Sequence, residues 1–188
     1  MGWIGVKDLM VPLSEYATVS EDATLREAVM ALEKAQEEFA RTGHLYLHRA
    51  VLVYNKAGKI VGKVSQLDVL SALEPKYKEI SNGKGMSYYG FTQKFIRSMM
   101  DQYSLLDKPL NNLLRKASEQ RVKNFVSRPT EGEYIEEDAS LDKAIHQFVI
   151  GQHQSLLVTG QDEIVGILRL TDVFNAIFQE IKADEAGE

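Results

Sequence analysis

The chain repeats part of its own sequence, and this repeat constrains the fold more than any other feature. Residues 21–29 recur as 137–145 at an offset of 116, and residues 60–62 recur as 164–166 at an offset of 104. Because the offset falls from 116 to 104, copy two is 12 residues shorter between its first helix and the next strand. We place this difference at residues 37–48. Such a duplication predicts two similar folding units.

Each copy encodes the same order of helices and strands. Thr24 followed three residues later by Glu27 forms a capping box, which marks a helix start, and Ser140 holds the cap position in copy two. Two apolar runs separated by turn residues then predict a β-hairpin, and a second helix begins near Gln66 or Leu170. The first helix of each copy carries a predicted buried stripe with helical spacing, formed by Leu25, Ala28, Val29 and Leu32 or by Leu141, Ala144, Ile145 and Phe148.

The predicted unit is strand, helix, strand, strand, helix, and its first strand is 17–20 in copy one and 134–136 in copy two. A unit of about 60 residues buries too little surface to be secure alone, so we expect the two sheets to pack together. The expected fold class is α+β, with two βαββα repeats and a helical insert between them. We divide the chain into repeat one (1–73), the insert (74–121), repeat two (122–181) and an acidic tail (182–188).

Composition excludes several classes of protein. The 188 residues include 22 Lys plus Arg, 27 Asp plus Glu and no cysteine. Without cysteine there are no disulfides, thiolate zinc sites, iron–sulfur clusters or cysteine nucleophiles. No apolar run approaches the roughly 20 residues of a membrane span, and residues 1–8 lack the basic start and apolar core of a signal peptide. We therefore expect a cytoplasmic protein without membrane association.

Four motifs occur in a known order and spacing. They are Val-Lys-Asp-Leu-Met at 6–10, Glu-Asp-Ala-Thr-Leu at 21–25, Gly-Lys-Ile-Val-Gly at 58–62 and Gly-Lys-Val-Ser-Gln-Leu-Asp at 62–68. Together with their duplication, they resemble the CBS domain, named after cystathionine β-synthase. The tandem arrangement resembles the CBS pair, or Bateman module, over about two thirds of the chain. This resemblance implies a regulatory ligand: AMP, ADP, ATP or S-adenosylmethionine, with no obligatory cofactor.

The resemblance implies a nucleotide site in copy one, where Gly62, Ser65 and Asp68 complete the family motif. In the family, the hydroxyl meets phosphate and the aspartate holds the ribose diol. These roles are physically reasonable, because a carboxylate offers two acceptor oxygens to two hydroxyls and a helix N-terminus suits phosphate. An aspartate in a first helical turn also stabilises a helix with no ligand at all, so both interpretations of Asp68 stay open.

Copy two departs from the motif. Arg169 stands where the hydroxyl is expected, Thr171 comes two positions late, and Asp172 keeps the aspartate position. A guanidinium binds phosphate strongly, but a cation at a helix start is often only solvated. The resemblance also implies residues that line the adenine, which are Tyr16, Ala17, Ala50 and Val51 in copy one and Glu133, Tyr134, Gln154 and Ser155 in copy two. The family's usual proline in the second strand is replaced by Leu52 and Leu156.

The insert is basic and aromatic, with 9 Lys plus Arg against 5 Asp plus Glu between residues 74 and 121. Apolar residues at helical spacing predict one helix over 92–106 and another over 110–119. Mixed basic and aromatic residues are typical of single-stranded nucleic-acid binding. Packing on the repeats or on a second subunit explains the same stripe better, and docking of an effector protein is a further alternative. We do not expect nucleic acid to be the partner.

No catalytic or metal site can be assembled from the sequence. His44 and His48 have the spacing of a zinc pair, but there is no third ligand and no adjacent glutamate. No Walker loop, GxSxG elbow or nucleophile with its base is present. We therefore expect no enzyme but a homodimeric regulatory protein that signals nucleotide occupancy to an effector protein in trans. The alternative is a ligand-free interaction scaffold that uses the insert.

Overall fold

The computed structural model describes residues 4–41, 48–77 and 92–186. Within these residues it contains seven strands, seven α-helices and three short 3-10 turns. The strands are β1 (Val11–Pro12), β2 (Thr18–Ser20), β3 (Ala50–Tyr54), β4 (Ile60–Ser65), β5 (Tyr134–Glu136), β6 (Ser155–Gly160) and β7 (Glu163–Arg169). The α-helices are α1 (Val6–Leu9), α2 (Leu25–Arg41), α3 (Gln66–Ala72), α4 (Gln93–Tyr103), α5 (Leu110–Ser118), α6 (Leu141–Gly151) and α7 (Leu170–Ala186). None of the helices in the described ranges is long and apolar enough to cross a membrane.

Each copy forms its own sheet with the same topology. In copy one the order is β2-β3-β4, where β2 runs parallel to β3 and β3 runs antiparallel to β4. In copy two β5 runs parallel to β6, β6 runs antiparallel to β7, and β1 is added at the edge beside β7. The predicted strand, helix, strand, strand, helix unit is therefore confirmed in both copies.

The two sheets pack against each other, as predicted. Because side chains alternate along a strand, Val51 and Val53 face the helices of copy one while Leu52 points to the opposite face. There Leu52 joins Leu157 and Ile167 of copy two in a buried cluster between the sheets. The predicted stripe on α2 is buried at Leu25, Ala28 and, in part, Leu32, but it is wrong at Val29, which is 40% exposed.

The opening segments of the two copies are exchanged. Val6 is fully buried in the core of copy two, and its amide donates a hydrogen bond to the carbonyl of Ala139. Its repeat counterpart Val122 is fully buried in the core of copy one, where its amide bonds the carbonyl of Ala23. Each repeat therefore completes its core with a segment from the other. The boundaries at 73 and 122 remain predictions.

Strand pairing corrects the sequence alignment of the hairpins. The motif glycines of the two copies pair with Val53 and Val158, so the counterpart of Leu52 is Leu157 and not Leu156. The offset therefore falls from 116 in the first helix to 105 in the second strand. Eleven of the missing residues precede that strand, and one is missing from the hairpin turn. The helices account for six of the eleven, because α2 has 17 residues and α6 has 11. Residues 42–47 of the predicted interval lie outside the described residues.

The two predicted insert helices are confirmed as α4, capped by Thr92, and α5. Helix α5 packs on copy one through Ala117, which lies in its core, and Leu113 of the same helix is also buried. Helix α4 keeps several large apolar side chains exposed: Phe95, Ile96, Met100 and Tyr103. These four side chains are 40% to 44% exposed, and the aromatic residues of 78–91 lie outside the described residues.

Candidate functional site

The copy-one motif lies where β4 meets α3, and it forms a capping box. The Ser65 hydroxyl accepts a hydrogen bond from the Asp68 amide at 3.2 Å. In return, Oδ2 of Asp68 accepts bonds from the Ser65 amide at 2.7 Å and the Ser65 hydroxyl at 2.6 Å. The helix-capping interpretation of Asp68 is therefore confirmed. It does not exclude a ligand, because the same groups point out of a helix N-terminus.

The second oxygen of Asp68 bonds the segment that opens copy two. The Ser127 hydroxyl donates to Oδ1 of Asp68 at 2.6 Å, and the backbones of Lys63 and Ser127 exchange two hydrogen bonds of 3.2 Å. The carboxylate thus holds two hydroxyl groups, one on each oxygen, which is the number of hydroxyls that a ribose diol offers. A diol would have to replace the exposed Ser127 hydroxyl.

The motif glycine has a backbone role. A Cβ added to Gly62 would overlap the carbonyl oxygen of Ser127 and lie 2.7 Å from Cγ2 of Val126. A Cβ added to Gly166 in copy two would lie 2.6 Å from the carbonyl oxygen of Val11. Both glycines therefore allow an exchanged segment to approach the sheet. Direct contact with a ligand is not needed to explain either glycine.

A lysine that the sequence analysis did not single out lies beside the motif. Nζ of Lys63 donates to Oε2 of Glu133 at 2.7 Å and to Oγ of Ser155 at 3.2 Å, and both charged side chains are 15% exposed. Lys63 and Ser65 are two residues apart on β4 and so point to the same side. The sequence contains a signal for this placement: Val64 is apolar and lies in the core, so its neighbours Lys63 and Ser65 must both face the other side of the strand.

The charge of Glu133 is supported on two sides. Burial raises the pKa of Glu133, but hydrogen bonds from the Lys63 side chain and the Thr130 amide outweigh it and hold the pKa below its usual value. We name Lys63, Ser65, Asp68, Ser127 and Glu133 cleft one. It joins the motif of copy one to the segment that leads into β5 of copy two.

The copy-two motif forms a buried ion pair. Nε and Nη2 of Arg169 donate to the two oxygens of Asp172 at 2.5 and 2.6 Å. Arg169 is only 7% exposed, so its interpretation as a solvated surface cation is wrong. The guanidinium also lies 3.4 Å from Nδ1 of His48, whose ring meets Tyr16 edge to face at 4.3 Å between centroids. We name Tyr16, His48, Arg169 and Asp172 cleft two.

Tyr16 shows that this cleft draws on both repeats. Burial raises the pKa of Tyr16 to about 12, while the nearby Arg169 charge lowers it and the Asp172 charge raises it. Tyr16 therefore lies beside the motif of copy two and not, as we grouped it, with that of copy one. His48 enters the site from copy one, although we had considered it only for zinc. Its suggested zinc partner, His44, lies outside the described residues, and no metal-binding cluster of three His, Cys, Asp or Glu occurs within them.

The family of this chain follows from a match to a known family model. The CBS domain model matches residues 6–75 and 122–179, the two regions that carry the repeats. The chain belongs to the CBS-domain family. Among curated proteins, none matches this CBS pair at a significant level.

Solved structures show the same fold across nearly the whole chain. A CBS domain-containing protein of unknown function from Bacillus anthracis is 16% identical, with 94% of each chain covered and a TM-score of 0.59. An uncharacterised conserved protein from Pyrococcus horikoshii is 14% identical, with 94% of each chain covered and a TM-score of 0.57. The protein CBSX2, solved in complex with AMP, is 16% identical over 95% of this chain and 98% of its own, with a TM-score of 0.53.

The remaining predicted residues of this CBS pair are placed differently. Ala17 and Val51 pack in the core of copy one, and their contact with the adenine stays a prediction. Ala50 is buried and pairs with Ser65 across β3 and β4. Tyr134 pairs with Leu157 in the same way as Thr18 pairs with Leu52. The counterpart of Tyr134 in copy one is therefore Thr18 and not Ala17. Thr171 lies, partly exposed, in the first turn of α7.

The two clefts are related by the repeat but differ in chemistry. By strand register, Lys63 and Ser65 correspond to Ile167 and Arg169. The bridge between Lys63 and Ser127 corresponds to the pair of Ile167 and Val11, both buried between the sheets. Cleft one is therefore polar at two positions where the second copy is apolar. Cleft two instead holds its cation at the hydroxyl position.

Proposed function

We propose that this CBS pair is a regulatory protein that binds an adenine nucleotide or related adenosyl ligand in cleft one. The observation that carries the proposal is the Asp68 carboxylate, which already holds two hydroxyl groups at the start of α3. A ribose diol would occupy Asp68, and a phosphate would meet Ser65 and the N–H groups of the first helical turn. Family membership supports this choice, and the complex of CBSX2 makes AMP the first ligand to test.

Cleft two is the weaker candidate site. Both oxygens of Asp172 are already bound by Arg169, and a ligand would have to break this buried pair before a diol could bind. Separating a buried ion pair leaves two poorly solvated charges, which is costly. We therefore propose one principal site for each chain. Tyr16, His48 and the Arg169 pair of cleft two act first as structural links between the repeats.

Ligand binding would be signalled through the contacts it replaces. Ser127 belongs to the exchanged segment that completes the core of copy one through Val122, so loss of its bond to Asp68 changes how the two repeats are joined. A ligand shifts an equilibrium between states only through unequal affinity for them. We propose that an effector protein in trans responds to this change and that the chain itself is not an enzyme.

We further propose that the protein is a homodimer. Several large apolar side chains on the repeat helices are 40% to 73% exposed: Val29, Met30, Leu67, Leu70, Val149, Ile150, Phe174, Phe178 and Ile181. A groove of about 400 Å³ between α2, α3 and α5 is lined mostly by apolar residues, among them Val29 and Met30. Exposed apolar surface of this extent is typical of a protein interface. Sedimentation of the purified protein tests the oligomeric state.

Calorimetry with AMP, ADP, ATP and S-adenosylmethionine tests the proposed site. Asp68→Ala removes the diol acceptor and is expected to abolish binding while the fold and oligomeric state persist. Asp142→Ala is the matched control, since Asp142 is an exposed first-turn acid of α6 outside both clefts. Equal affinity of wild type and Asp68→Ala would reject the site.

A ligand-free scaffold is the second candidate, favoured by the exposed apolar side chains of α4. In this case the insert binds a protein partner, and the clefts serve only to hold the repeats together. The double substitution Ile96→Glu with Met100→Glu places charge on that surface. It should abolish partner binding and leave any nucleotide affinity unchanged, which separates the two functions.

A further inference from the structure

Lys63 is charged, whereas the residue at the corresponding position of copy two is apolar. Its counterpart Ile167 is fully buried between the sheets, and the partner of Ile167, Val11, is buried with it. A charge taken this far out of water is costly unless it is paired. Lys63 meets this cost through Glu133 and Ser155, both from copy two.

The lysine and the diol acceptor belong to one connected group. The backbone of Lys63 bonds that of Ser127, and the Ser127 hydroxyl bonds Asp68. The side chain of Lys63 points to the same side of β4 as Ser65, about 7 Å farther along the strand. A ligand held by Asp68 and Ser65 therefore meets the half-buried cation of Lys63, whose paired carboxylate is Glu133.

We propose that Lys63 is a specificity-determining residue that binds the phosphate of the ligand and that Glu133 occupies its place in the empty protein. This inference rests on the proposed nucleotide site. On binding, the phosphate replaces Glu133 at Lys63, while the diol replaces Ser127 at Asp68. After this exchange, Glu133 keeps the hydrogen bond that the Thr130 amide donates to its other oxygen at 3.1 Å.

This exchange narrows the ligand class and links binding to a movable segment. A ligand needs both a diol and an anionic phosphate to make both replacements, so nucleotides bind more tightly than uncharged nucleosides. Ser127 and Glu133 flank one short segment, 127–133, that leads into β5. Both of its side-chain anchors to copy one in this cleft are released together, so phosphate binding changes the junction between the repeats.

Calorimetry with AMP and adenosine on four proteins tests the role of Lys63. Wild type is expected to prefer AMP at least tenfold, as a hydrogen bond to a charged group is worth roughly that ratio or more. Lys63→Gln should reduce this preference to less than about threefold by weakening AMP alone, since adenosine does not use the cation. Glu133→Gln should tighten AMP severalfold, because a competing carboxylate is gone. Lys123→Gln, which removes a lysine paired with Asp22 outside the cleft, should change neither ligand.

Folding of the variants is controlled within the same design. Lys63→Gln leaves Glu133 without its cation, so the double variant Lys63→Gln with Glu133→Gln removes both charges and should still lack the AMP preference. Lys63→Arg keeps the cation and should retain the preference for AMP over adenosine. An unchanged ratio of AMP to adenosine affinity in the Lys63→Gln proteins overturns the role of Lys63 but leaves the nucleotide site intact, provided Asp68→Ala abolishes both ligands. Failure of wild type to bind either ligand overturns the proposed function together with this inference.

Discussion

The Ser127 hydroxyl donates a hydrogen bond of 2.6 Å to Oδ1 of Asp68 and thereby joins the opening segment of copy two to the motif of copy one. The contact spans 59 residues of sequence, and the backbone bonds between Lys63 and Ser127 hold it in place. Because Asp68 is also the proposed ribose acceptor, one carboxylate serves both the junction of the repeats and the ligand. Competition between these two partners is the simplest way for this fold to register binding.

Ser127→Ala should tighten nucleotide binding. It removes the hydroxyl that the diol must replace, and we expect affinity for AMP to rise about two- to tenfold, the equivalent of one neutral hydrogen bond. Because Ser127 is exposed, the free energy of unfolding should fall by less than about 1 kcal/mol. Calorimetry and urea denaturation measure the two effects. Ser118→Ala, at a half-buried serine of α5 outside both clefts, is the control, and weaker AMP binding by Ser127→Ala would mean that Ser127 contacts the ligand.

Breaking the Arg169–Asp172 pair should destabilise the protein. Arg169→Met leaves the Asp172 carboxylate, which is 17% exposed, without its guanidinium, and we expect a loss of roughly 3 kcal/mol. Combining it with Asp172→Leu removes both charges and should recover at least half of that loss. Urea denaturation measures each value. Lys143→Met breaks an exposed ion pair with Glu136 and should cost less than about 1 kcal/mol; an equal cost for Arg169→Met would contradict the importance of burial.

The fold was predictable because its signals are local. Capping residues, apolar periodicity and turn residues each act within a few positions, and they placed β4, α3, α6 and α7 correctly. The exchange of opening segments was not predictable, because the sequence shows that Val6 is apolar but not which of the two cores it enters. The one-residue difference between the hairpin turns was hidden as well, because the second strand of each copy is a continuous apolar run. Leu52 can therefore be aligned with either Leu156 or Leu157 until the strands are paired.

The candidate site was predictable only in part. The motif identified Ser65 and Asp68 by local spacing, and both lie together at a helix start. The partners that distinguish cleft one from cleft two, Ser127 and Glu133, are 59 and 70 residues away from the groups they bond. No spacing rule connects residues at such separations. Only the paired sheets bring them into contact.

Alkaline pH should destabilise the native state through Tyr16. The pKa of Tyr16 is raised by burial from 10.0 to about 12, so the folded protein favours the neutral phenol. This contribution is fully present below pH 10 and is lost as the pH rises from 10 toward about 12, amounting to roughly 2 to 3 kcal/mol. Denaturation is measured from about pH 9 to about pH 12, a range that includes both the ordinary and the raised pKa of Tyr16. The stability of Tyr16→Phe should fall less over this range than that of wild type. Parallel curves for the two proteins would show that Tyr16 is not held in its neutral form.

Gly166→Ala tests whether the exchanged segments hold the two repeats together. The added Cβ would lie 2.6 Å from the Val11 carbonyl oxygen, so β1 must move away from β7, at a cost of roughly 1 to 3 kcal/mol. Gly132→Ala is the control, because its Cβ meets its nearest neighbour, His153, at an ordinary 3.5 Å.

Hydrogen exchange distinguishes a local effect of Gly166→Ala from a shared one. Since Val6 lies in the core of copy two and Val122 in that of copy one, displacement of one segment should weaken both cores. We therefore expect one cooperative unfolding transition at lower denaturant concentration, with faster exchange in both sheets. Two separate transitions, or loss of protection confined to copy two, would show that the repeats are independently stable despite the exchange.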